Sequence, residues 1–132
     1  AFLMPIVASM GGNAGMQTLA VTIRTLATND LTKNNFTDSI LKEFNIGILN
    51  GIIFAIISAI IVQIWFQDYL LSMIISISMV LTMIIAGLFG ILVPVTLKNF
   101  DIDPAIASGV FVTTITDVIG FLSFLGVAAY FL

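Results

Sequence analysis

Residues 44–66 read "FNIGILNGIIFAIISAIIVQIWF", a run with no charged side chain. At ~1.5 Å of rise per residue, a helix of this length exceeds the ~30 Å hydrocarbon core of a bilayer. A barrel strand would alternate apolar and polar residues, and this run does not. Lipid tolerates only helices and closed barrels, because every backbone polar group must find a partner inside the structure. The stretch therefore predicts a transmembrane α-helix.

The same reading repeats outward from it. Charged and turn-forming residues cut the 132-residue chain into four apolar blocks, at about residues 1–27, 44–66, 69–97 and 104–132. The expected fold is an all-α, polytopic helix bundle of four spans, forming one domain over residues 1–132. Hydrophobic residues make up 60% of the chain, charged residues 8%, and the mean hydropathy is +1.21. A soluble domain of this size must leave a large share of its residues in water and could not hide so much apolar surface.

Composition also excludes. Seven acids against four bases give a net charge of −3, which argues against a nucleic-acid partner or a polybasic lipid anchor. Cysteine and histidine are both absent, so thiolate and imidazole metal sites are ruled out. A membrane serine or zinc protease would need histidine, and an intramembrane aspartyl protease would need two deep acids. Neither a phosphate loop nor a dinucleotide fingerprint occurs, so no enzymatic activity is expected.

The linker "NDLTKNNFTDSILKE", residues 29–43, carries more than a third of all charges. Phe36, Ile40 and Phe44 recur at four-residue spacing, and Thr37, Asp38 and Ser39 are good helix-start residues. The segment reads as a polar turn followed by an amphipathic entry to the second helix. Arg24, Lys33 and Lys42 flank this first loop and Lys98 flanks the third, "LKNFDIDP". The second loop, "WFQDYL", has no basic residue, and Trp65 and Tyr69 suit the membrane interface. The first and third loops are thus expected in the cytoplasm and the C-terminus outside. That places the start of the chain outside without a signal peptide, which points to a segment of a longer protein with at least one preceding helix.

Two features carry chemistry. In "TTITDVIG", residues 113–120, Asp117 lies thirteen residues after Pro104, about 20 Å along a helix. A carboxylate at that depth costs on the order of 3 kcal/mol and normally faces a watery cavity, a partner charge or an ion path. Thr113 and Gly120 share its helix face at i−4 and i+3. The competing structural reading is interhelical glue, a protonated carboxyl bonded to a neighbouring helix. The second feature is "PIVASMGGNAGMQ", residues 5–17. Pro5 and the glycines Gly11, Gly12 and Gly15 predict a broken helix lining a cavity, with Asn13 and Gln17 on one side. The alternative is a small-residue contact that lets two helices approach closely. Carboxylate, amide and freed carbonyl oxygens at one depth form a hard donor set, suited to a hydrated divalent cation such as Mg²⁺. One carboxylate neutralises half of such a charge, and a symmetric dimer would supply a second.

At these residues the chain resembles the transmembrane domain of the MgtE magnesium transporter/channel family. Pro5 with "GGNAGMQ" (11–17), "IRTLA" (23–27), "DPAIASG" (103–109) and "TTITDVIG" (113–120) occur in order across the chain. The resemblance implies a homodimer of five-helix protomers, with the last four helices in this chain. It also implies a pore on the dimer axis lined by the first and fourth blocks. Asp117 would hold hydrated Mg²⁺ at the membrane centre, Asn13 would line the pore, and Ser9 and Thr113 would offer backbone carbonyls. Cytoplasmic regulatory domains typical of the family are expected beyond this chain. Two alternatives stay open: transport of Co²⁺ or Mn²⁺, and a non-conducting membrane assembly subunit.

Overall fold

A computed structural model describes residues 3–27 and 36–131. Four helices occupy them: α1 (Met4–Ala27), α2 (Phe36–Phe66), α3 (Tyr69–Asn99) and α4 (Pro104–Phe131). There is no strand among the described residues. Residues 28–35, the first half of the expected polar turn, lie outside the described residues.

The two short turns follow from their sequence. Gln67 takes a left-handed conformation (φ 51°) that ends α2, and Asp68 then caps α3, its Oδ1 accepting from the backbone N–H groups of Leu70 (2.9 Å) and Leu71 (3.3 Å). At the far end Asp101 is left-handed (φ 59°), and the Ile102 N–H returns to the Leu97 carbonyl at 2.9 Å, closing the helix as a C-terminal cap does. Asp103 accepts from the Ala105 N–H at 2.9 Å. Pro104 occupies the first helical position, where its missing N–H costs nothing.

α3 is the hub. It packs against α1, α2 and α4, and α1 packs against α4, whereas α2 is laid chiefly against α3. The core gathers Val7, Ala55, Val62, Ile74, Ile75, Met79, Met83 and Phe124 around α3. The outer face of α2 exposes Ile52, Ile53, Ile56, Ile57, Ile60, Ile61 and Ile64. An apolar surface of that extent would not be tolerated in water. Trp65 (80% exposed) and Tyr69 (82%) stand together at one end, as interfacial aromatics do.

Three differences from the sequence reading have physical causes. α2 begins at Phe36, because the amphipathic entry is continuous with the apolar run and no breaker separates them. Among the described residues three helices, over Thr37–Phe66, Tyr69–Asn99 and Ser108–Phe131, are by length and composition long and apolar enough to cross a membrane, where the sequence reading gives four spans. α1 has the length, but its glycines, Asn13, Gln17 and Arg24 lower its apolar content. Finally, α1 is unbroken. Pro5 sits in the first turn, where it has no helical hydrogen bond to remove, and Gly11, Gly12 and Gly15 continue the helix.

Candidate functional site

The glycines expected to open α1 instead bring helices together. A methyl added at Gly120 would lie 2.7 Å from the Ala8 Cα, so α4 and α1 touch backbone to backbone there. One added at Gly15 would lie 3.0 Å from Val112 Cγ1 and 3.2 Å from Thr116 Cγ2, and one at Gly11 would strike Thr82 of α3. This is the small-residue packing by which membrane helices approach closely. The helix break assigned to Pro5, Gly11, Gly12, Gly15, Gln17 and Gly120 is therefore corrected: Gly11, Gly15 and Gly120 are buried in seams, and Gly12 is half-buried beside Thr116.

That packing fixes a ladder. Ala8 meets Gly120, Gly12 meets Thr116, and Met16 meets Thr113 and Gly109, so α1 and α4 run antiparallel with four residues of α1 per rung. Ser9 and Asn13 each follow a rung residue on α1, and Asp117 and Thr113 flank the Thr116 rung on α4. All four are exposed. They lie beside the same seam within about two helical turns, since 5.4 Å separates successive turns. Pro5 and Gln17 extend the exposed side of α1 in both directions.

The Asp117 carboxylate has no hydrogen bond or ion pair among the described residues. Thr113 differs, because its hydroxyl donates to Met16 Sδ at 3.8 Å. Its carbonyl already accepts from Thr116 Oγ1 at 3.0 Å and, inside the continuous helix α4, also takes part in the backbone ladder, so neither lone pair is left free. Ser9 lies inside continuous helix, so its carbonyl is not freed as a break would free it. The donors that project from the exposed seam are thus the Asp117 carboxylate and the Asn13 amide. No cluster of three or more acidic, histidine or cysteine residues occurs among the described residues. One carboxylate with one amide suits an ion that keeps its waters rather than a stripped one.

Glu43 was not singled out by sequence reasoning. It accepts from Thr18 Oγ1 at 3.1 Å and lines a cavity of about 160 Å³ with Gln17 and Asn50. The available signal was its spacing: Glu43, Gly47 and Asn50 fall at i, i+4 and i+7 on one helix face.

The chain is similar along nearly its whole length to known proteins. The family model MgtE, described as a divalent cation transporter, matches residues 4–127. The chain is 38% identical over 132 residues to the magnesium transporter MgtE of Bacillus subtilis, covering 100% of this chain and 29% of that protein. It is 33% identical over 132 residues to magnesium transporter MgtE of Enterococcus faecalis, again covering 100% of this chain and 29% of the relative. It is 34% identical over 128 residues to that of Thermus thermophilus, covering 97% of this chain and 28% of the relative. The chain thus spans less than a third of the length of the curated relatives it matches.

Proposed function

The chain belongs to the MgtE family of divalent cation transporters, and from that premise we propose that it forms the membrane path by which Mg²⁺ enters the cytoplasm. The path lies on a homodimer axis, where the exposed α1–α4 seams of two protomers face each other. Two copies of Asp117 then match the charge of one divalent ion, and Asn13 from each protomer orients its waters. Mg²⁺ sheds water reluctantly, so the ion is held through its hydration shell.

One observation carries this reading. Asp117 lies midway along an apolar helix, is exposed, and has no partner among the described residues. A structural acid would be buried against a neighbouring helix and bonded to it. Inward movement of a divalent ion gains about 4.6 kcal/mol per 100 mV, twice the ~2.3 for a single charge. The membrane potential alone can therefore drive uptake, and no coupled ion is needed. With the Lys and Arg residues of the first and third loops in the cytoplasm, the C-terminus of this segment lies outside.

Mg²⁺ flux into proteoliposomes, measured for the wild type, Asp117→Asn and Asp117→Ala, tests the assignment. Loss of flux in both variants supports it; wild-type flux in both would sink it. Repeating the measurement with Co²⁺ and Mn²⁺ separates a magnesium path from a broader divalent one.

A further inference from the structure

α1 and α2 both pack on α3 and touch each other far less, Thr18 of α1 hydrogen-bonding Glu43 of α2. A wedge is left between them, and polar groups line it. The cavity there has a volume of about 160 Å³ and is bordered by Gln17 and Thr18 of α1, Glu43 and Asn50 of α2, and Gly87 of α3. Glu43 immediately precedes the uncharged run 44–66 on the helix Thr37–Phe66, which is long and apolar enough to span a membrane, and is half-buried. Its backbone is drawn onto α3 at Gly87, where an added methyl would lie 3.4 Å from the Glu43 carbonyl oxygen. Its side chain reaches across the wedge to α1.

The Thr18 hydroxyl donates to Glu43 Oε2, which holds one carboxylate oxygen and leaves the other to the cavity. The side-chain amides of Gln17 and Asn50 border the same space, and an amide can turn its oxygen toward a cation. A half-buried carboxylate needs a counter-charge or water, and the hydroxyl supplies no charge. The cavity has room for several waters, each needing at least ~10–15 Å³ of such volume.

We propose that this cavity is a second cation site, in which a hydrated, hard divalent cation is held between the Glu43 carboxylate and the amides of Gln17 and Asn50. The donors are all oxygen, which selects hard ions over soft ones. A single carboxylate and an open wedge fit an ion that retains most of its shell. Gln17 follows Asn13 by one helical turn on α1, so the site adjoins the exposed seam without belonging to it. The inference goes beyond the Asp117 reading and does not rest on it.

Amidation of carboxylates by a carbodiimide and an amine, read peptide by peptide by mass spectrometry, reports on Glu43 and Asp117 separately in the detergent-solubilised protein. The expected result is saturable protection of Glu43 by Mg²⁺, absent with Na⁺ at matched ionic strength. Protection persists in Asp117→Asn, and its midpoint rises severalfold in Gln17→Ala and Asn50→Ala. Glu43 labelling indifferent to Mg²⁺, or protected equally by Na⁺, overturns the proposal. Protection that disappears in Asp117→Asn also overturns it, since Glu43 would then only be reporting the seam. Protection of Glu43 with Asp117 unaffected by Mg²⁺ supports this second site and counts against the proposed pore.

Discussion

Helices α3 and α4 are both long, apolar and dotted with serine and threonine, yet they place those residues in opposite ways. On α3 the hydroxyls of Ser72, Ser76, Ser78 and Thr82 turn inward and are used for packing, and Thr96 near its end is exposed. Ser72 donates to the Asp68 carbonyl at 3.0 Å, Ser76 to the Ser72 carbonyl at 2.8 Å, and Ser78 to the Ile74 carbonyl at 2.8 Å. Ser78 also reaches the Ser123 carbonyl of α4 at 3.4 Å. On α4 Thr116 is buried, but Thr113, Thr114 and Asp117 point away from the bundle. Of the inward hydroxyls, those of Ser72, Ser76 and Ser78 are satisfied by the protein, while Thr82 Oγ1 on α3 and Ser108 Oγ on α4 are buried without a hydrogen-bond partner among the described residues. In a membrane, a polar group turned outward must be satisfied by something else. The side-chain type is the same in both helices; the direction separates structure from function.

The sharpest way to break this contrast is to remove the outward carboxylate. Asp117→Ala should lower Mg²⁺ flux by about two orders of magnitude, or roughly 2.7 kcal/mol at ~1.4 kcal/mol per decade. The melting temperature in detergent should stay at the wild-type value, because no hydrogen bond within the described residues is lost. A large drop in melting temperature with flux retained would turn Asp117 into an inward-type, structural residue.

A substitution in the seam should behave in the reverse manner. Gly120→Val puts a branched side chain where even one methyl would sit 2.7 Å from the Ala8 Cα. Overpacking of this kind costs about 1–3 kcal/mol and occasionally more, and here the obstacle is backbone, which cannot rotate aside. Thermal unfolding should show the loss directly. Any fall in flux should follow the fall in folded protein, apart from the effect of displacing Asp117 from Asn13.

How much of this was legible in the sequence depends on which physical rule was local. The turn at Asp103–Pro104 was readable because a cap and a proline act within one helical turn. The four helices were readable because apolar runs state their own length. The state of α1 was not. Proline and glycine lower helix propensity, but Pro5 lies in the first turn and Gly11 and Gly15 are held by Thr82, Val112 and Thr116. Propensity was overridden by contacts that only the assembled bundle makes. The central place of α3 was not read, although Thr82, Ala86 and Gly90 repeat at four-residue spacing, the small-residue row of a helix seam. Asp117 was legible by its cost in lipid, while its exposure and lack of a partner needed the structure.

The inward hydroxyls allow a smaller test. Ser78 is fully buried, and its hydroxyl joins two carbonyls, one on α3 and one on α4. Ser78→Ala should reduce stability by about 1 kcal/mol, the net worth of a buried hydrogen bond, with flux per folded molecule unchanged. Thr114→Ala, on the exposed side of α4, should change stability by less than about 0.5 kcal/mol, as surface substitutions do. Equal losses in the two variants, read by the same unfolding assay, would erase the distinction between the two helices.

The smallest effect comes from a second glycine of α4. Gly126 is six residues beyond Gly120, yet a methyl added there would meet nothing within 4 Å. With no neighbour to strike, Gly126→Ala removes only the conformational cost of glycine in a helix, so it should stabilise the protein by roughly 0.5–1 kcal/mol. The sign is the informative part. Gly120 and Gly126 are the same residue on the same helix, and within one chain they differ only in whether a neighbour is present. If Gly126→Ala instead lowers the melting temperature, that end of α4 is covered in the assembled protein, and the cover must come from outside the described residues. If it raises the melting temperature as expected, this part of α4 faces lipid. The proposed interface between protomers would then leave this face of α4 out, consistent with its lying on the side that carries Thr113 and Asp117.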